Sequence, residues 1–189
     1  KYLGKIRELL WQGKQDEAEK LAGETFMSVP LHQKKYQPFG DLWLTFPGEE
    51  NYSDYRRELD LSEAVCKTTY KAGDILYTRE YIASYPGNSM AVNLAASRKG
   101  SLTFDISMGS VHEDFSAAAG QDGTIRLKVR VKDGVLYGTA LARLTLKGGK
   151  FTAARDKLHV ENADEATIWL TAATNFVTPE DVSGDPDSL

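Results

Sequence analysis

The feature that most constrains this chain is a change of hydrophobic period after Pro30. Before it, Leu3, Ile6, Leu9 and Leu10, then Ala18, Leu21, Ala22 and Thr25 to Phe26, recur at spacings of three and four, which line one face of a helix. Gly13 divides the two runs as a C-cap, and Asp16, Glu17 and Glu19 open the second, where carboxylates meet the positive end of the helix dipole. The reading is a helical hairpin over residues 1–28. Beyond Pro30 the period is two: Leu42, Leu44 and Phe46 alternate with Trp43 and Thr45 until Pro47 and Gly48 stop the run.

More alternating runs follow at short intervals. Ala64, Cys66, Thr68 and Tyr70 lead through Gly73 and Asp74 to Ile75, Tyr77, Arg79 and Tyr81, which predicts a hairpin. Met90, Val92 and Leu94, then Lys99 and Gly100, then Leu102, Phe104 and Ile106 predict a second. Ile125, Leu127, Val129 and Val131 turn at Asp133 and Gly134 into Val135, Tyr137 and Thr139, which predicts a third. Gly148, Gly149 and Asn162 punctuate the last strands, where Ile168 and Leu170 face opposite to Thr167, Trp169 and Thr171. Many short strands with frequent turns predict a mainly β fold, an antiparallel β-sandwich over residues 29–176 carrying the N-terminal helical hairpin. The polar stretch 177–189, with Pro179 and Pro186, shows neither period and reads as the start of a solvated linker.

Composition narrows the function classes. The 189 residues suit one sizeable domain or a small pair. Lys and Arg number 23 against 27 Asp and Glu, with both signs interspersed, so no basic footprint for nucleic acid or anionic lipid exists. The single cysteine, Cys66, has no disulfide partner within the chain and is expected to be a small buried apolar residue. No apolar run is long enough for a membrane helix. Lys1 stands where Met would open a chain and already carries the helical period, so the polypeptide is expected to extend upstream.

Candidate chemistry is sparse. His32, Tyr36 and Gln37 lie on the connection from the hairpin into the first strand, a loop of the kind that reaches a neighbouring cleft; packing and backbone hydrogen bonds are the alternative. Trp43 and Trp169 can stack on a pyranose ring, or pack in the core or against another domain. Asp41, Asp54, Asp60, Glu80 and Asp105 sit near strands, where acids make turns and surface pairs. His112, Glu113 and Asp114 are adjacent, so their side chains diverge on a strand, and Asp185 and Asp187 flank Pro186 without further ligand spacing. No metal, cofactor or nucleophile elbow is predicted.

Four segments carry a resemblance: IRELLWQGKQDEAEKLA at 6–22, YQPFGDLWLTF at 36–46, DYRRELDLSEA at 54–64 and YTREYIAS at 77–84. In order and spacing they resemble the N-terminal domain of glycoside hydrolase family 95, the α-L-fucosidase-like enzymes, and ADEATIWLTAATNF at 163–176 and DVSGDP at 181–186 resemble its closing strand and linker start. The resemblance implies a super-sandwich that precedes a catalytic (α/α)6 barrel, an inverting reaction on terminal α-L-fucosyl or α-L-galactosyl groups of oligosaccharides, and an extracellular or periplasmic setting. It places no catalytic residue in this chain, leaves His32, Tyr36 and Gln37 as candidates for the substrate rim, and makes the barrel and the oligosaccharide the expected partners. It also implies strands ahead of the helical hairpin, so the sandwich is expected to be short of edge strands. The alternative is an autonomous carbohydrate-binding or structural interaction sandwich.

Overall fold

The computed structural model describes residues 1–28 and 37–189, so Pro30, His32 and Tyr36 lie outside the described residues. The chain divides into two compact units, Lys1–Gln37 and Pro38–Leu189.

In the first unit, α1 (Leu3–Trp11) and α2 (Gln15–Thr25) form the expected hairpin. Gly13, at φ 75°, donates its N–H to the Leu10 carbonyl while Lys14 donates to that of Leu9. This pair of bonds is a Schellman closure, and its left-handed residue costs little only as glycine. Asp16 and Glu17 occupy the first turn of α2. Ile6 and Leu9 bury against Ala18, with Leu21 and Ala22 beside them.

The second unit is a sandwich of two antiparallel sheets. The smaller orders its strands β1 (Asp41–Thr45), β6 (Leu102–Gly109), β11 (Lys157–Ala163) and β10 (Lys150–Ala154). The larger runs β2 (Ser53–Asp60), β3 (Val65–Ala72), β4 (Ile75–Ser84), β5 (Ser89–Ala96), β12 (Glu165–Thr174), β9 (Tyr137–Lys147), β8 (Thr124–Arg130) and β7 (Asp114–Ala119). Between them lies one core, in which Phe104, Val160, Ile125, Leu127 and Ile168 are wholly buried.

The first and third predicted hairpins form, β3 with β4 and β8 with β9. The second does not. β5 pairs with β4 and β12, whereas β6 pairs with β1 and β11, so residues between Ala96 and Leu102 carry the chain from one sheet to the other. Both strands bury alternate side chains in the same core from opposite sides, a pattern that alternation alone cannot distinguish from a hairpin. The crossing from β9 to β10 uses Gly149, at φ 66°, where a Cβ would lie 2.5 Å from the Glu161 carbonyl oxygen, too close for any other residue.

The polar tail, expected to run solvated, is docked on the sandwich. Asn175, only 2% exposed, accepts from the Tyr137 N–H and donates to the carbonyls of Val135 and Val182. Past it, Pro186 is buried in a short 3-10 turn, and Asp187 binds Lys128 Nζ and the Thr139 hydroxyl, both at 2.7 Å. These contacts hold the Asp187 carboxyl below its ordinary value, chiefly through Lys128.

Strands in a sheet lie about 4.8 Å apart, so eight span about 34 Å and four only about 14 Å. The small sheet therefore covers part of the large one. Its central strand β6 faces β5, β8 and β7, and a wing made of β2, β3 and β4 projects beyond it. Every residue of β2 is exposed on both faces.

Candidate functional site

The wing carries the site. Register aligns Arg57 with Thr68 and Arg79, and Leu59 with Cys66 and Tyr81, on the sheet face that continues the core. The neighbouring residues of those same rows are Leu94 and Val92 on β5, both buried. Along one face the side chains thus change from aliphatic to aromatic and charged as the small sheet ends.

Where it ends, the β1–β2 connection folds back onto the wing. Phe46 stacks on Phe104 with centroids 5.1 Å apart, which anchors the connection in the core. The Arg79 guanidinium lies 3.9 Å from the Phe46 ring centroid and 4.9 Å from that of Tyr70, a cation held between two aromatic faces. Arg79 Nη2 donates to Glu49 Oε2 at 3.2 Å, and the Tyr70 hydroxyl bonds both groups. The Glu49 side chain is only 10% exposed, so this is a largely desolvated ion pair fixed by a phenol. Burial, then the hydrogen bond to Glu49, raises the Tyr70 phenol well above its ordinary value; burial and the Glu49 charge raise Tyr77, which stacks on Tyr70 at 5.4 Å.

Tyr52 and Tyr55 stand at the rim, their centroids 5.9 Å apart and their rings more than half exposed. With Phe46, Glu49, Tyr70 and Arg79 they enclose an open cleft of about 290 Å³. A second hollow of about 370 Å³ adjoins it, sharing Tyr55, Tyr70 and Arg79 and adding Arg57, Thr68 and Tyr81. Chemically the arrangement offers ring faces for stacking and a fixed donor and acceptor for hydroxyls; Arg79 Nε is buried with no hydrogen-bond partner.

Residues 1–179 match the family model described as "Glycosyl hydrolase family 65, N-terminal domain". The chain belongs to that family. Among curated proteins it is similar to "Alpha-L-fucosidase 2" of Arabidopsis thaliana, 32% identical over an alignment covering 86% of this chain and 22% of that one. It is also similar to "Probable alpha-fucosidase A" of Aspergillus oryzae, 27% identical over 92% of this chain and 24% of that one. The chain thus spans about a quarter of the length of these relatives. A solved chain described as a kojibiose phosphorylase from the human microbiome superposes with a TM-score of 0.48 at 12% identity, covering 78% of this chain and 23% of that one. The resemblance read in the sequence, an N-terminal domain of a glycoside hydrolase, stands, as does the mainly β sandwich with its helical hairpin.

Of the predicted rim residues, His32 and Tyr36 lie outside the described residues and Gln37 is exposed. Trp43 and Trp169 are both about half exposed, on the outer faces of the small and large sheets respectively, so neither is core and no surface joins them. Trp43 lies over Gly109, where a Cβ would meet its ring at 2.6 Å. Cys66 is half-buried on the wing, not sealed in the core.

Four of the five acids near strands make turns and pairs, as their positions predict, and Asp41 is exposed at the start of β1. Asp60 accepts from Ser62 and Glu63, Asp54 pairs with Lys71 at 2.9 Å, Glu80 with Lys67 at 3.0 Å, and Asp105 with His159 at 2.6 Å. His112 bonds the Pro38 carbonyl, while Glu113 and Asp114 pair with Lys132 and Arg130, so the three diverge. The sequence reading passed over Glu49 and Arg79. One signal was available: a guanidinium in the inward register of β4, between Tyr77 and Tyr81, where a core strand carries an apolar residue.

Proposed function

We propose that the chain is the non-catalytic N-terminal domain of an α-L-fucosidase-type glycoside hydrolase of family 95, acting by inversion on terminal α-L-fucosyl or α-L-galactosyl groups of oligosaccharides. One observation carries the reading: nearly the whole chain matches a domain family of glycosyl hydrolases, while spanning about a quarter of relatives named as fucosidases. The geometry agrees with a supporting role. An inverting pair needs two carboxyl-type groups about 6.5 to 9.5 Å apart, one kept protonated. The most buried carboxylate described in an ion pair, Glu49, is instead paired with Arg79 and accepts a hydrogen bond from Tyr70. In this proposal residues 29–176 are the sandwich, 177–189 lead toward the catalytic (α/α)6 barrel, and His32, Tyr36 and Gln37 reach the rim of its cleft.

The test is hydrolysis of an aryl α-L-fucoside. The chain alone should release no phenol, and the polypeptide that includes the barrel should; turnover by the pure chain, abolished by a substitution within it, would contradict the proposal. In the longer polypeptide His32→Ala and Gln37→Ala should weaken substrate use while the melting temperature holds. Unchanged kinetics in both variants would remove these residues from the rim.

A further inference from the structure

We propose that Ser110 and His112, on the connection between β6 and β7, are positioning residues for Gln37: they fix the backbone on which Gln37 stands, and through it the contact of Gln37 with substrate. This role rests on the reading above that Gln37 reaches the rim of the barrel's cleft.

Two successive carbonyls just after Gln37 are held by side chains of that connection. The Pro38 carbonyl meets His112 Nε2 at 3.0 Å, and the Phe39 carbonyl accepts from the Ser110 hydroxyl at 2.8 Å. A carbonyl only accepts, so His112 Nε2 carries a hydrogen. The Ser110 oxygen also accepts from the His112 N–H at 3.3 Å, so one side chain both holds Phe39 and closes the turn that carries the imidazole. Proline fixes its own φ and restricts the residue before it to extended conformations, so with Pro38 held the backbone of Gln37 has little freedom left.

The seat is stiff on both sides. A Cβ on Gly138 would meet the Phe39 ring at 2.5 Å, and one on Gly40 would lie 2.6 Å from the Gly109 carbonyl oxygen, so Phe39 and Gly40 are packed tightly against the sheets. Asp41 then pairs with Gly109 in the β1–β6 ladder. The connection itself leaves β6 at Gly109 and joins β7 at Asp114, opposite Arg130 on β8, with Glu113 bound to Lys132 at 2.9 Å.

These bonds supply direction more than stability. Gln37 and Pro38 are exposed, and a hydrogen bond open to water contributes little net free energy. β1 is registered by its own ladder from Asp41 onward and needs no clamp ahead of it. Anchors that run back to Pro38 and stop beside an exposed amide side chain are what a contact residue requires, since a misplacement of about 1 Å is enough to lose a productive geometry.

The experiment uses the polypeptide that includes the barrel, with an aryl α-L-fucoside as substrate. His112→Ala should raise KM about three- to tenfold with kcat held, the pattern of a lost contact that is equal in ground and transition states, and Gln37→Ala should do at least as much. His112→Gln, whose amide nitrogen falls at the Nε2 position, should restore KM, and His112→Asn, whose amide falls at Nδ1, should not. In the Gln37→Ala background His112→Ala should change nothing further. A full effect of His112→Ala in that background would overturn the proposal, because His112 would then act by itself or through the fold. So would kinetics unmoved by His112→Ala while Gln37→Ala alters them, a result that leaves the rim reading intact. If Gln37→Ala is itself silent, the rim reading fails and takes the proposal with it. Should the longer polypeptide hydrolyse no fucoside, the hydrolase reading fails, and 15N relaxation of the Gln37 amide decides the clamp. An order parameter that falls below about 0.6 in His112→Ala and recovers in His112→Gln supports it, and one that does not move overturns it.

Discussion

The two halves of the large sheet share one backbone and one period and differ in what lies over them. From β5 to β8 the small sheet covers the inward face, and the residues there, Leu94, Ile168, Ala142 and Ile125, are small or aliphatic and almost wholly buried. From β4 to β2 the small sheet does not cover it; among the described residues the β1–β2 connection lies over its inner part through Phe46 and Glu49, and the same face carries Tyr81, Arg79, Tyr70, Thr68 and Arg57. Cover decides composition: burying a guanidinium without a partner is costly, whereas at an open margin it can keep its ion pair and still meet solvent. One half is therefore closed by the small sheet and the other only by a single connection.

The largest expected effect lies in the covered half. Phe104→Ala, at a wholly buried position, should lower the urea unfolding free energy by about 3–5 kcal/mol, while Leu59→Ser on the same side of the wing should change it by about 0.5 kcal/mol or less. Comparable losses would mean that the wing is core as well. A smaller effect is expected at the margin. Arg79→Met leaves Glu49 desolvated without its cation and should cost about 1–3 kcal/mol, much of which the double variant with Glu49→Gln should restore. If the double variant is as unstable as the single one, the pair acts through packing alone.

Smaller still is the docking of the tail. Because the Asp187 carboxyl sits below its ordinary value in the fold, its contribution is present above the unfolded value of about 3.9 and is lost as pH falls through the folded one. Asp187→Asn should remove that part of the acid sensitivity, read from unfolding midpoints across the acid range. An unchanged acid profile would show the carboxylate to be incidental.

The parts legible in the sequence are those written locally. Period and Gly13 define the helical hairpin, and Gly73 and the Asp133–Gly134 pair mark true two-strand turns. The β5–β6 crossing was misread because Lys99 and Gly100 signal that the chain turns, not which sheet it enters. β7 escaped notice because its inward positions after Phe115 are only Ala117 and Ala119, an alternation too faint to separate from a polar loop. The bonds of Asp187 to Lys128 and of Glu49 to Tyr70 and Arg79 join residues 21 to 59 apart, which no local pattern records. Family segments carried the rest: YTRE contains Tyr77 and Arg79, but the resemblance gave them no role.

The difference between the halves is tested most directly by native-state hydrogen exchange in β3 and β12. Both are interior strands, hydrogen-bonded to neighbours on either side, so backbone pairing is matched and cover is the variable. The account predicts that β12 amides exchange only through global unfolding and that β3 amides exchange through smaller local openings. Equal opening free energies in the two strands would show one uniform sandwich and contradict the division on which the stability argument rests.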